Sequence, residues 1–140
     1  MGEYISARCD AIEKCYEFML AYAGQGLAGN EGSPTSAQVR DFLQRAADAV
    51  SGLPEAYTAV IKSDQSKLPE PYRAFLGVLE RDARDSLAAI ELVLAQTTIS
   101  SQLIDNLNAS IHLRALLTDL FLVDEVLKPQ GERQKPATME

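Results

Sequence analysis

Apolar side chains recur at alternating steps of three and four along four long stretches of this chain, and no stretch shows the period of two that a half-buried strand needs. Ile5, Cys9, Ile12, Tyr16, Met19 and Ala23 share one face over residues 3–23, with Glu3, Asp10, Lys14 and Glu17 opposite. Thr35 or Ser36 opens a second stretch, where Val39, Phe42, Leu43, Ala46, Val50, Leu53, Tyr57, Val60 and Ile61 stay in phase. Gly52 and Pro54 interrupt it without shifting that phase, which predicts one helix over about 36–62, kinked near Gly52–Pro54. Tyr72, Phe75, Leu76, Leu79, Ala83, Leu87, Ile90, Val93 and Leu94 make a third stripe over 70–97, backed by Glu80–Arg84 and Arg81–Asp85 at i,i+4. Ser100 or Ser101 caps a fourth segment that runs to Leu127, before Lys128-Pro129.

Two short turns and one Gly-rich loop, Gly24 to Pro34, join these segments. The expected fold is therefore all-α: an antiparallel four-helix bundle over residues 1–128, followed by a flexible polar tail over 129–140. A chain of 140 residues is one domain with room for a real core. Only 6% of it is aromatic and none is tryptophan, which favours helices over a β-sandwich.

Charge narrows the partners. Thirteen Lys and Arg against twenty Asp and Glu give −7, and an acidic chain repels phosphate backbones, so no nucleic acid is expected. No apolar run approaches the roughly 18–20 residues that span a bilayer, so no membrane contact is expected. A cytoplasmic location follows from the lack of a basic region leading into an apolar one. Met1-Gly2-Glu3-Tyr4-Ile5-Ser6 fits the loose myristoylation pattern, but Glu3 and the missing polybasic patch speak against it. Cys9 and Cys15 stand six residues apart on one helix, a rise of about 9 Å, too far for a disulfide.

The first and fourth segments carry more apolar surface than one stripe requires. In the fourth, Ile104, Leu107, Ile111 and Phe121 form one line, while Leu116, Leu120, Val123 and Leu127 form a second more than about 90° away, widened by Leu113 and Leu117. In the first, Tyr4, Ala11, Phe18 and Tyr22 lie beside the main stripe. Two apolar faces need two things to pack against. The expected interface is Tyr4, Phe18, Tyr22, Leu113, Leu116, Leu117, Leu120, Val123 and Leu127, and the expected partner is a second copy. A fourth helix buried on most sides is the competing account. The first line also continues through Arg114, Thr118 and Glu125, so a half-buried Arg114 needs Glu13 or Glu17, or else an anion.

Catalytic constellations fail one by one. Gly24-Gln25-Gly26-Leu27-Ala28-Gly29 matches G-x-G-x-x-G, but a helix precedes it and no strand does. His112 is the only histidine, with Ala109 three before it, so no di-iron or zinc set forms and no metal is expected. His112 falls on the polar stripe with Asp105, Asn108 and Asp119, a solvated position rather than a phosphotransfer site. Haem between Met19 and His112 fails because the two point to different faces, so no cofactor is expected. The sequence reads as a non-catalytic homodimeric bundle acting as adaptor, assembly factor or regulator. A bundle that binds a small molecule around Tyr16, Arg114 and Thr118 is the alternative, and a chaperone for a client helix is a third reading.

Overall fold

The computed structural model describes residues 2–29, 34–64 and 69–127, except for the side chains of 2–4, 60–64 and 127. All regular structure among the described residues is helical: α1 Gly2–Ala23, α2 Pro34–Ser51, α3 Leu53–Asp64, α4 Glu70–Leu94, α5 Ser101–Ala109 and α6 His112–Leu127. The expected tail over 129–140 lies outside the described residues.

The α2 and α3 segments are one helix bent at Gly52, where the sequence places a kink. The Ala56 amide donates to the Gly52 carbonyl (3.1 Å), so the first turn of α3 starts from the bend itself. Arg8 of α1 supports the bend from outside. Its Nη1 donates to the carbonyls of Asp48 (3.1 Å) and Ala49 (2.7 Å) in the last turn of α2. A Cβ on Gly52 would meet Arg8 Nη2 at 3.1 Å, so the close approach suits glycine. Arg40 treats the end of α4 likewise, donating to the carbonyls of Leu94 (3.1 Å), Thr97 (2.9 Å) and Gln96.

The fourth segment departs from expectation. It is two helices, not one, because the chain breaks at Ser110–Ile111, giving five helices among the described residues rather than four. Ile111 takes φ +62°, a left-handed conformation that a β-branched residue strongly disfavours. Ser110 closes α5 by donating its hydroxyl to the Leu107 carbonyl (2.6 Å). The break rotates α6 relative to α5, so the α5 part of the first apolar line and the second line in α6 both face inward, while Ile111 and Phe121 stay exposed. Ile104 and Leu107 from α5, with Leu113, Leu116, Leu117, Leu120 and Val123 from α6, all join one core.

That core also takes Ile12, Cys15 and Met19 from α1, Val39 and Leu43 from α2, Leu53 and Tyr57 from α3, and Leu79 and Ile90 from α4. A polar clip ties the loop after α1 to the start of α5. The Tyr22 hydroxyl donates to the Ile99 carbonyl (2.6 Å), and Ser101 Oγ donates to the Tyr22 carbonyl (2.6 Å) while accepting the Leu27 amide (2.9 Å). The Ser101 amide completes it on the Leu27 carbonyl (2.8 Å). Ser100 is the cap of α5, accepting the Leu103 amide (3.1 Å), and Ser101 serves the clip. Gly29, at φ +77°, passes so close that a Cβ would sit 2.2 Å from the Ile99 carbonyl oxygen.

Two substitutions probe these positions. Gly29→Ala meets both the left-handed backbone and that carbonyl, while Gly26→Ala, at φ +67° in open space, meets only the first. Thermal denaturation should show Gly26→Ala costing about 1 kcal/mol and Gly29→Ala clearly more. Ile111→Asn should raise stability by about 1 kcal/mol, since asparagine tolerates φ > 0 and Ile111 is 50% exposed.

Candidate functional site

The side of α6 turned away from the core is where the chain offers a surface. With Leu113, Leu116, Leu117, Leu120 and Val123 buried, α6 still leaves Phe121 at 55%, Leu122 at 52% and Val126 at 45% exposure. Leu122 and Val126 lie on the flank towards α4. There, with Val123, they meet Pro71, Tyr72, Phe75 and Leu76 from the start of α4 around an apolar groove of about 260 Å³. Pro69 and Pro71 start α4 abruptly, which stands Tyr72 and Phe75 in its first turns against the last turns of α6.

Deeper along the same seam the contacts turn polar. Ser86 Oγ donates to the His112 carbonyl (2.9 Å), tying α4 to the start of α6. Asp82 of α4 faces Asp119 of α6, and Asp119 is only 8% exposed. No donor among the described residues reaches its buried Oδ2. Burial pushes the Asp119 carboxyl up to about 7, helped by its hydrogen bond to Asp82 and by the like charge there. Near neutral pH Asp119 is therefore still partly protonated and can donate to Asp82.

Several residues expected at the surface lie in the chain's own core. Leu113, Leu116, Leu117, Leu120 and Val123 face inward because of the break at Ile111. Tyr22 is 1% exposed, its ring inside and its hydroxyl spent on Ile99. Phe18 is half-buried, stacked on Phe42 of α2 at 4.4 Å and on Tyr22 at 5.9 Å. The side chains of Tyr4 and Leu127 lie outside the described residues. The expected ligand site moves the other way. Arg114 and Thr118 are exposed on the outside of α6, Tyr16 is half-buried on α1, and none of the three lines the groove. The Thr118 hydroxyl donates to the Arg114 carbonyl (3.0 Å). Neither Glu13 nor Glu17 forms an ion pair with Arg114 among the described residues. The rotation takes Arg114 out of the core, which removes its need for a buried partner.

Burial pushes the Cys15 thiol up to about 12, so it stays protonated at neutral pH. Cys9 is also raised, by burial first, and its sulfur lies 3.8 Å from the Tyr57 hydroxyl. Among the described residues no three His, Cys, Asp or Glu side chains gather to hold a metal, and no helix is long and apolar enough to cross a membrane. Asp82, Asp119, Leu122 and Val126 are the residues that sequence reasoning missed. Asp119, Leu122 and Val126 depend on the phase of α6, which changes at a Ser-Ile-His step carrying neither glycine nor proline, and Asp82 of α4 matters only through Asp119.

The raised Asp119 carboxyl makes stability depend on pH. The folded chain holds a proton that the unfolded chain releases near the ordinary value of 3.8. Its stabilising contribution is whole below that value and is lost as pH rises through about 7. Asp119→Asn keeps a donor to Asp82 and cannot ionise. Urea denaturation should show the variant gaining on wild type between pH 5 and pH 8, and an equal difference at both would contradict the raised Asp119 carboxyl.

Compared with protein-family models, curated proteins and solved structures, the chain matches none of them.

Proposed function

We propose that this chain is a non-catalytic protein that acts by protein–protein contact, and that the occupant of the outer face of α6 is a second copy of itself. The observation that carries this reading is the exposure of Phe121, Leu122 and Val126 beside an apolar groove, on a helix whose inner face is already filled. An adaptor, assembly factor or regulator needs no more than such a face.

Within that reading the five helices form an antiparallel four-helix bundle with a bend in its second rod and a break in its fourth. Cross-links between opposite ends support it. Arg8 near the start of α1 reaches the end of α2, Arg40 near the start of α2 reaches the end of α4, and Tyr22 near the end of α1 reaches the residues before α5. The groove joins the start of α4 to the end of α6 in the same sense.

The exposed face is small, three half-exposed apolar side chains on each copy, so the self-association is weak.

Sedimentation equilibrium across protein concentration tests this. Wild type should pass from monomer to dimer, and Leu122→Asp should stay monomeric with an unchanged helical circular dichroism spectrum, because Leu122 is 52% exposed. Leu120→Asp would be uninformative about an interface, since at 1% exposure it puts a charge in the core. Wild type that stays monomeric up to about 1 mM would overturn the proposal.

A further inference from the structure

The outer face of α6 carries a pattern that reads the same from both ends. Arg114, Thr118, Phe121 and Glu125 are spaced by four, three and four residues, and all four are exposed. At about 100° per residue they fall on one narrow strip of the helix. Arg114 and Glu125 stand equally far from the midpoint between Asp119 and Leu120, as do Thr118 and Phe121. A parallel pairing would set Arg114 on Arg114 and Glu125 on Glu125. An antiparallel one sets cation on anion at both ends.

Resting on the self-association proposed above, we infer that two copies pack α6 against α6 antiparallel about a two-fold axis level with the Asp119–Leu120 midpoint, with Arg114 of each copy against Glu125 of the other. The interface is isologous, so every contact occurs twice. At its centre the Phe121 ring of one copy covers Thr118 of the other. The Thr118 hydroxyl is already spent on the Arg114 carbonyl (3.0 Å), which leaves its methyl for the ring.

The flank supports the same register. A two-fold axis of this kind brings the α4 side of one copy against the α4 side of the other, with the ends exchanged. Ile111 stands ahead of the midpoint about as far as Val126 stands behind it, within one helical turn. The second copy therefore brings its Ile111, 50% exposed at the break, towards the mouth of the groove between Val126, Leu122, Tyr72 and Phe75. The net charge of −7 on each copy opposes association in general, so a pairing that aligns opposite charges is favoured over others.

Charge exchange tests the register on the full chain. Arg114→Glu removes both ion pairs and puts like charges together, so the dissociation constant of the dimer should rise about tenfold or more. Glu125→Arg should do the same, and the double variant Arg114→Glu with Glu125→Arg should return it to near the wild-type value. Sedimentation equilibrium reads all three, and both sites are exposed, so folding is preserved. A dimer of wild-type strength in Arg114→Glu, or a double variant no stronger than the singles, overturns the register while leaving the wild-type dimer and the Leu122→Asp result to uphold self-association. A wild type that never dimerises overturns both.

Discussion

The left-handed turn at Ile111 decides which side of α6 meets the core, and most of what the molecule offers to solvent follows from it. An isoleucine at φ +62° costs on the order of 1–2 kcal/mol. What over-determines it is the apolar burial on either side. Ile104 and Leu107 before the break, and five large side chains after it, reach the core only if the helix is rotated between them. Losing one such side chain from the core would cost about 2–5 kcal/mol, so the strain is outweighed several times over. The Ser110 hydroxyl on the Leu107 carbonyl and the Ser86 hydroxyl on the His112 carbonyl then hold the two sides of the interruption in place.

Other interruptions are also held through backbone carbonyls. At the bend at Gly52 and at the end of α4, an arginine from a different helix supplies the donors. A guanidinium suits this role because its five donors lie in one plane and reach two or three carbonyls at once. These contacts also fix how far each helix slides along its neighbour. The clip of Tyr22, Leu27, Ser101 and Ile99 does so for α1 against α5, with Gly29 allowing the backbones to touch.

Much of this was legible in the residues. Helix period alone identified the helical stretches, and the preserved phase across Gly52 and Pro54 identified a bend rather than a new helix. The break at Ser110–Ile111 was not legible, because Ser-Ile-His has no breaker and the local preference of isoleucine argues against a positive φ. What the sequence did show was a symptom, two apolar lines too far apart for one straight helix. A second binding surface and a change of phase both explain that symptom, and the structure has the change of phase. Arg8 and Arg40 stayed hidden for a different reason: their acceptors are backbone carbonyls some forty to sixty residues away, and carbonyls leave no mark in a sequence. From sequence alone Asp119 falls on a solvated stripe, because the phase of α5 continues unbroken into α6 there.

The break and the outer face of α6 are two consequences of one constraint. In an unbroken helix Arg114, Thr118, Phe121 and Glu125 would continue the line of Leu107 into the core, where an arginine and a glutamate lie too far apart along the same helix to pair with each other. Burying both unpaired would cost several kcal/mol, more than the strain at Ile111. Rotating α6 moves those charges to water, brings Leu116 and Leu120 inside, and leaves Leu122 and Val126 beside the groove of α4. At the surface the charges lie where a partner can meet them. Their order along the strip, cation first and anion last about a common midpoint, is the order that a second copy of the same helix complements when it runs the other way.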